Sequence, residues 1–222
     1  MPKAIATRRR ARPLERPERR ALLLKCAIRV FARRGLGGAR HAEIAREAKV
    51  AVPTVFFYFP THEALVREVL EEVARFFLQM TERIHTADRP APEIVLEHGR
   101  GFADAMVTHP EYARILLEWS TALREEVWPL YLRFHEQNIR IIAETIRRWR
   151  RATGRNHDED AEDSARVIAA TGYVVAQMKV ARMPSARIER FLLTLVRDTL
   201  GESGADEGLT PRTGPPAIEL DN

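Results

Sequence analysis

Apolar residues recur along this chain at intervals of three and four positions, the spacing that places them on one face of an α-helix. The first such segment predicts a helix over about residues 18–34, ended by a glycine-rich stretch at 35–38. Its apolar positions are Leu22, Leu23, Cys26, Ala27, Val30 and Phe31. No segment has the alternating pattern of a half-buried strand, and the chain is therefore predicted to be all-α.

Two short helices are predicted next, over residues 41–48 and 52–58, with a tight turn at 49–51 between them. Pro53 is acceptable in the second of these, because the first helical turn needs no intrahelical N–H donor. Thr61 is a suitable N-cap for a fourth helix, whose apolar positions continue to Met80. The side chains expected to face inward from the two short helices are Ile44, Ala45, Ala48, Val55, Phe56 and Phe59.

Five further helices complete a predicted set of nine, and prolines stand near the start of most of them. They extend from 90 to about 108, from 110 through 119, from near 129 to 153–154, from 158–163 to 182, and from 184–185 to about 200. Residues 201–222 are rich in glycine and proline and hold few large apolar side chains, so they are predicted to form a disordered tail.

Positive charge is concentrated at the N-terminal end of the chain. Residues 1–65 contain 15 Lys and Arg against five Glu, a net charge of +10, so residues 66–222 carry −5 of the total of +5. A basic segment on an acidic body is typical of a protein that binds a polyanion. The alternative is a solvated tail that only aids solubility, but this tail leads directly into the two predicted short helices.

Composition excludes several other classes of protein. No run of residues approaches the roughly 18 apolar positions that a membrane span needs, and residues 1–20 lack the apolar core of a secretory signal. The single cysteine, Cys26, excludes an intrachain disulfide and a cysteine zinc site, and we expect it to be buried as a small hydrophobe. These features indicate a cytoplasmic protein with no cofactor and no metal site.

The second short helix has the side chains that a recognition helix needs in order to approach the major groove of DNA closely. Its short residues are Ala51, Val52, Pro53 and Thr54. Candidate donors to phosphate oxygens are Thr54, Tyr58, Thr61 and His62. Arg40 and His41 open the preceding helix, where the helix dipole also favours phosphate. The basic arm, which suits a narrow minor groove, contains Arg8, Arg9, Arg10 and Arg12.

Three of these residues have alternative interpretations. Phe57 offers DNA only an apolar contact, for example to thymine methyl groups, and could instead be a peripheral core residue. Tyr58 could serve packing alone, and His62 could be an exposed capping residue.

Residues 18–65 resemble the DNA-binding head of TetR-type repressors through four motifs: FAxxG, IAxxA, TVFxYF and an acidic residue followed by leucine. The longer stretch 31–70, together with EWSTALREEVWPLY at 118–131, resembles the LuxR/HapR/SmcR group of quorum-sensing master regulators from vibrios. The resemblance implies an all-helical, nucleoid-associated homodimer that regulates transcription. Its implied parts are a flexible arm at 1–17, a helix-turn-helix domain at 18–65, a ligand-binding and dimerisation body at 66–200, and the tail at 201–222.

The chain departs from that group at positions that bear on DNA recognition. The group has a serine at Ala51, so the usual N-cap of the recognition helix is missing here. It has alanine at Pro53 and asparagine at Phe57, and the loss of that amide predicts a different operator sequence.

The resemblance also implies a ligand pocket in the helical body. Candidate lining residues are Phe77, Met80, Leu116, Trp119, Trp128, Phe134, His135, Asn138, Ile139, Gly172, Tyr173 and Gln177. Phe77 matches the group, whereas Leu116, His135, Ile139 and Gly172 replace tryptophan, asparagine, glutamine and cysteine. The predicted ligand is therefore small and mostly apolar, with one polar contact from His135 or Asn138. The alternative is a filled core, because aromatic residues at helical spacing usually pack against one another.

The last two helices carry the apolar residues of a predicted dimer interface, with Leu192 at its centre. The set is Val167, Ile168, Val174, Val175, Met178, Val180, Ile188, Phe191, Leu192, Leu195, Val196 and Leu200. An enzyme is the competing class, but the sequence has no nucleophile elbow, phosphate loop or zinc signature. A DNA-binding structural or division-control protein on the same scaffold is the other alternative.

Overall fold

The computed structural model describes residues 15–122, 126–154 and 160–200, and these residues form nine α-helices and no strand. The helices are α1 (Arg16–Arg34), α2 (His41–Ala48), α3 (Val52–Tyr58), α4 (His62–His85), α5 (Ala91–Thr108), α6 (Pro110–Thr121), α7 (Trp128–Ala152), α8 (Ala161–Val180) and α9 (Ser185–Leu200). The all-α class and the order of the predicted helices are confirmed in this part of the chain. The basic arginines at 8–12 and the predicted tail at 201–222 lie outside it.

Two helix ends differ from their predicted positions. Helix α1 begins two residues early, because the Glu15 backbone N–H donates to Glu18 Oε2 at 3.0 Å and so closes the first turn. Helix α8 ends at Val180 rather than 182, because Arg182 adopts a left-handed φ of 54° in the turn to α9. None of the described helices is long and apolar enough to cross a membrane.

Helices α1 to α3, which we call the head, pack around a small apolar core. Phe31 from α1, Ile44 from α2 and Val55 from α3 are fully buried there, and Phe59 closes the core just after α3. Cys26 is also buried, as predicted, and burial raises the pKa of its thiol. Burial of these side chains holds α3 in place, since a seven-residue helix is not stable by itself.

The turn between α2 and α3 is built around a lysine in an unusual conformation. Lys49 has a left-handed φ of 56°, and its side chain is exposed. The Val50 N–H donates to the Ala45 carbonyl at 3.0 Å, which closes the C-terminal end of α2. This reversal sets the angle between α2 and α3.

Helices α4 to α9, which we call the body, share a continuous apolar core with the head. Helix α4 extends from the head into the body, and α6 packs against α1. Across that contact, the Leu36 backbone N–H donates to Glu118 Oε1 at 2.8 Å. Gly35 precedes it with a φ of 76°, and its position leaves room for the carboxylate. The head is therefore joined to the body by packing, by this charge-assisted hydrogen bond, and by an ion pair between Arg20 of α1 and Glu68 of α4 at 2.5 Å.

A second apolar cluster lies deeper in the body, between α5, α7, α8 and the end of α9. Its fully buried members include Ile139, Ile142, Ile146 and Ala165. The space between this cluster and the first one contains the cavity described below.

Candidate DNA interface and body cavity

Helix α3 has one face in the core and the other in solvent. Val55 is buried, whereas Ala51, Val52 and Pro53 are exposed at the N-terminal end of the helix, as a recognition helix requires. Ala51 makes no side-chain cap, in agreement with the predicted loss of the usual N-cap. The Thr54 N–H donates to the Ala51 carbonyl at 2.9 Å instead, which closes the first turn.

Phe57 is 60% exposed, so the interpretation of this residue as part of the core is wrong. The Arg16 guanidinium lies 5.1 Å from its ring centroid, and the Tyr58 ring meets it edge-on at 5.1 Å. An aromatic ring held in solvent beside a cation is available for contact with a base edge or a thymine methyl group.

The structure corrects the expected orientation of Phe56 and gives the His41 ring a structural role. Phe56 was predicted to face inward but is 46% exposed, with its ring stacked on that of His41 at 4.1 Å. The His41 ring is buried, and its Nε2 lies 2.8 Å from the Phe59 carbonyl. The His41 side chain therefore joins α2 to the end of α3, and the predicted phosphate site at the start of α2 would use the backbone N–H groups and not this ring.

Thr61 and His62, at the start of α4, have different surroundings. Thr61 Oγ1 accepts the Ala64 N–H at 3.1 Å, which confirms Thr61 as the N-cap. His62 is not exposed: its ring lies 6.2 Å from that of Phe31 and faces a cavity of about 590 Å³ between head and body. Its Nδ1 is buried and has no hydrogen-bond partner within the described chain. His62 is therefore not an exposed capping residue, and its Nδ1 is enclosed between head and body.

Part of the positive charge on the head is already neutralised by carboxylates. Arg29 and Arg33 both pair with Glu47, at 2.9 and 2.7 Å, and Arg34 pairs with Glu43 at 2.8 Å. These pairs lower the pKa of Glu47. Arg40 is exposed and donates to the Gly37 carbonyl at 2.7 Å, so its guanidinium braces the loop in front of α2.

The body contains a cavity of about 620 Å³ between α4, α5, α6, α7, α8 and α9. Most of its lining is apolar or aromatic, and the rings of Trp128, Tyr131 and His135 stack in succession along α7. Nine of the twelve predicted pocket residues line it, namely Phe77, Met80, Leu116, Trp128, Phe134, His135, Asn138, Gly172 and Tyr173. The interpretation of this region as a completely filled core is therefore wrong.

The other three predicted pocket residues lie elsewhere. Trp119 is buried in the core, where its Nε1–H donates to the Val127 carbonyl at 3.0 Å. Ile139 is only 1% exposed and packs in the second apolar cluster without lining the cavity. Gln177 is exposed on the outside of α8.

Sequence reasoning missed the contribution of α5 to the cavity. Val95, His98, Gly99 and Phe102 line it, at the spacing of one helical face. That spacing was a usable signal, but the glycine and histidine interrupt the apolar pattern. Thr81 was missed as well, and its Oγ1 donates to Asn138 Oδ1 at 2.8 Å.

A series of buried polar side chains lies behind this wall of the cavity, and hydrogen bonds link its members. His85 Nε2 lies 3.2 Å from His98 Nδ1, and His85 Nδ1 lies 3.0 Å from Thr145 Oγ1. Burial lowers the pKa of His98 to about 4. Burial, followed by the nearby His98 and Arg148, lowers the pKa of His85 to about 3. Both imidazoles are therefore neutral at pH 7. No group of three or more His, Cys, Asp or Glu side chains in the described ranges could hold a metal ion.

The predicted dimer surface on α8 and α9 divides into two sets. Leu192, the predicted centre, is only 2% exposed because it packs inside the body, where it lies close to Gly99. The neighbouring Leu193 is 48% exposed. Also buried within the chain are Ile168, Val175, Met178, Ile188 and Leu200, whereas Val167, Val174 and Val180 are exposed. An interface on these helices would therefore have Leu193 in it and not Leu192.

Comparison with known proteins agrees with this architecture. A family model described as bacterial regulatory proteins, tetR family, matches residues 23–69. The HTH-type transcriptional regulator LuxR of Vibrio harveyi is 39% identical over 141 residues, which are 63% of this chain and 67% of LuxR. The HTH-type transcriptional repressor NicS of Pseudomonas putida is 34% identical over 95 residues, covering 42% of this chain and 44% of NicS.

Solved structures show the same fold at low sequence identity. The TetR family regulator CifR, as a cysteine mutant complexed with 26-base-pair operator DNA, aligns with a TM-score of 0.69 at 22% identity, covering 85% of this chain and 98% of CifR. FadR of Bacillus subtilis, in complex with stearoyl-CoA, aligns with a TM-score of 0.69 at 15% identity, covering 82% and 98%. The identity to LuxR, the matched head and the exposed face of α3 together show that this chain belongs to the TetR family and is a helix-turn-helix DNA-binding transcriptional regulator.

Proposed function

We propose that the protein is a homodimeric regulator of the quorum-sensing master regulator type, whose affinity for DNA changes when a small, mostly apolar ligand occupies the body cavity. The observation that carries this proposal concerns helix α6. This helix forms one wall of the 620 Å³ cavity, and it also makes a hydrogen bond to the head. Leu116 and Leu117 of α6 line the cavity, and Glu118 of the same helix binds the Leu36 N–H. The protein would act in the cytoplasm, on chromosomal DNA.

Sequence readout is assigned to the exposed face of α3. Phe57→Asn would replace an apolar contact with an amide, which can bond adenine, so base preference should change more than total affinity. Val107→Asn is the matched control, since Val107 is an apolar residue of similar exposure on α5, far from the recognition helix in sequence. The measurement is selection of binding sites from randomised duplex DNA. An unchanged preference in Phe57→Asn would show that this ring does not contact the bases.

Non-specific affinity is assigned to the basic arm. Removing residues 1–12 deletes Lys3, Arg8, Arg9, Arg10 and Arg12. If all five contact phosphates, the slope of log K against log salt should become shallower by about 4 to 5, since each contact contributes about 0.9. Binding isotherms at several salt concentrations measure this. Equal slopes with and without the arm would show that the arm does not contact phosphates.

Dimerisation is assigned to the exposed apolar residues of α8 and α9. Two-fold symmetry would present two heads to half-sites about 34–36 Å apart, or a multiple of this distance. Leu193→Glu should give folded monomers that lose operator binding, because it places a charge in the interface and leaves the monomer core intact. Leu192→Glu is the contrasting variant and should unfold the body. Light scattering of the wild type at micromolar concentration is the direct check, and a monomer there would contradict the assignment.

Ligand control is assigned to the body cavity, whose volume lies in the usual range for small-molecule sites. A ligand changes DNA affinity only if it binds the two conformations of the protein unequally, and coupling of about 1–3 kcal/mol would change it roughly 5–150-fold. Gly172→Trp should fill the cavity and abolish the effect. Gly172→Ala should preserve it, because an added Cβ would lie at ordinary contact distance, 3.5 Å, from the Phe102 ring. A promoter-binding map with matched expression changes would give the operator and the sign of regulation.

A further inference from the structure

One wall of the body cavity contains a nitrogen atom that has no hydrogen-bond partner among the described residues. His98 lines the cavity from α5, between Val95 and Phe102. Its Nδ1 is 3.2 Å from His85 Nε2, which accounts for one of its two ring nitrogens. Its other nitrogen, Nε2, has no hydrogen-bond partner among the described residues, yet it is not among the fully enclosed unpaired atoms. This nitrogen is therefore accessible from the cavity.

The buried chain behind His98 fixes which ring nitrogen carries the proton. Thr145 Oγ1 donates its only proton to the Ile141 carbonyl at 3.3 Å, so this oxygen accepts a hydrogen bond from His85 Nδ1. Neutral His85 then has a bare Nε2, which accepts from His98 Nδ1–H. His98 is neutral too, and its remaining nitrogen is therefore bare. The hydrogen-bonded series of Thr145, His85 and His98 therefore leaves His98 Nε2 as a hydrogen-bond acceptor at the cavity wall.

Several of the hydroxyl groups that line the cavity are satisfied by the protein itself. The Thr81 hydroxyl donates to Asn138, and the Ser120 hydroxyl donates to the Leu117 carbonyl at 2.8 Å. At the rim, Arg166 pairs with Glu136 at 2.8 Å. A ligand that displaces water from an acceptor among apolar side chains binds less tightly unless it replaces the lost hydrogen bond.

We propose that the ligand of this cavity is an apolar molecule bearing a hydrogen-bond donor, a hydroxyl or an N–H, which binds His98 Nε2. This inference rests on the proposed ligand control of the cavity and adds the chemical class of the ligand. A carboxylate or ether oxygen at the same place would face a nitrogen lone pair and form no bond. His98 is then a specificity-determining residue, and His85 and Thr145 are positioning residues that hold its tautomer.

The test compares probes with one carbon skeleton and different end groups: 1-decanol, its methyl ether, decane and decanoate. Binding to the full-length protein is followed by displacement of a fluorescent apolar dye and by calorimetry. For the wild type, 1-decanol should bind about tenfold more tightly than its methyl ether, the factor that a net hydrogen bond of about 1.4 kcal/mol gives. Decanoate should bind no better than the ether.

Two variants separate recognition from packing. His98→Phe removes the acceptor but keeps a ring, so decane should still bind and the advantage of the alcohol should disappear. Thr145→Val has nearly the same shape but removes the oxygen that fixes the His85 proton, so it should reduce the preference for the alcohol without weakening decane. A purely structural role for Thr145 would leave the ratio of the two affinities unchanged.

A ligand-free measurement makes the outcome decisive. Nitrogen-15 chemical shifts of the His98 ring at pH 7 should show Nδ1 protonated and Nε2 bare, and a protonated Nε2 would overturn the inference. Equal binding of alcohol and ether, or tighter binding of the ether, would overturn it while leaving the ligand site in place. Failure of every probe to bind, with the His98 shifts as expected, would count against the proposed ligand control and the inference with it.

Discussion

Mild acid should destabilise this protein strongly, because its buried histidine pair resists protonation in the folded state. The pKa values of His85 and His98 are about 3 and 4 when folded, against 6.5 normally. The unfolded chain therefore binds protons first, and stability that is complete above pH 6.5 falls as the pH drops towards the folded values. At pH 5.0 each histidine costs about 2 kcal/mol, and the pair about 4 kcal/mol, out of a typical total of 5–15 kcal/mol.

Urea unfolding at pH 7.5 and 5.0, at fixed protein concentration, measures this loss. His98→Phe should lose about 2 kcal/mol less than the wild type between the two pH values, whatever its stability at pH 7.5. The exposed His109→Gln is the matched control and should lose as much as the wild type. Burial also lowers the pKa of His135, which adds to the same window. A wild-type loss below about 1 kcal/mol, or an equal loss in His98→Phe, would refute the reasoning.

Three further predictions concern helix α6 and its contact with the head. Glu118→Ala should cost about 1–3 kcal/mol of unfolding free energy, because it leaves the Leu36 N–H unpaired; an unchanged urea midpoint would contradict this. Gly35→Ala should cost about 1–2 kcal/mol, since its φ is 76° and the new Cβ would lie 2.9 Å from the Glu118 carboxylate; thermal melting measures the loss, which should shrink in the Glu118→Ala background. Trp119→Phe should cost about 1 kcal/mol or more through the lost bond to the Val127 carbonyl, and equal stability by calorimetry would exclude that role.

The helices and the head could be read from the sequence because their signals are local. Apolar spacing marks each helix, and residues such as Pro110 and Thr61 mark where helices begin. The direction in which a side chain points could not be read in the same way. Leu192 and Leu193 are equally apolar neighbours, but α9 packs against both α5 and α8, and only that packing decides which leucine is buried.

The polar features of the site depend on contacts that are distant in sequence. His98 meets His85 and, through it, Thr145, on three different helices. A single histidine in an apolar pattern carries no sign of such partners, and the sequence analysis therefore passed over it. The structural role of the His41 ring was missed for the related reason that its partner, the Phe59 carbonyl, is a backbone atom.

Lys49 combines a strained backbone conformation with an exposed positive charge beside the recognition helix. A non-glycine residue in the left-handed region costs about 1–2 kcal/mol, and a glycine at this turn would remove that cost. The same glycine would also take away an exposed positive charge next to the recognition helix. Lys49→Gly should therefore melt at a higher temperature, and a weaker affinity for DNA in the same variant would show that this turn keeps a DNA-contacting charge at the expense of stability.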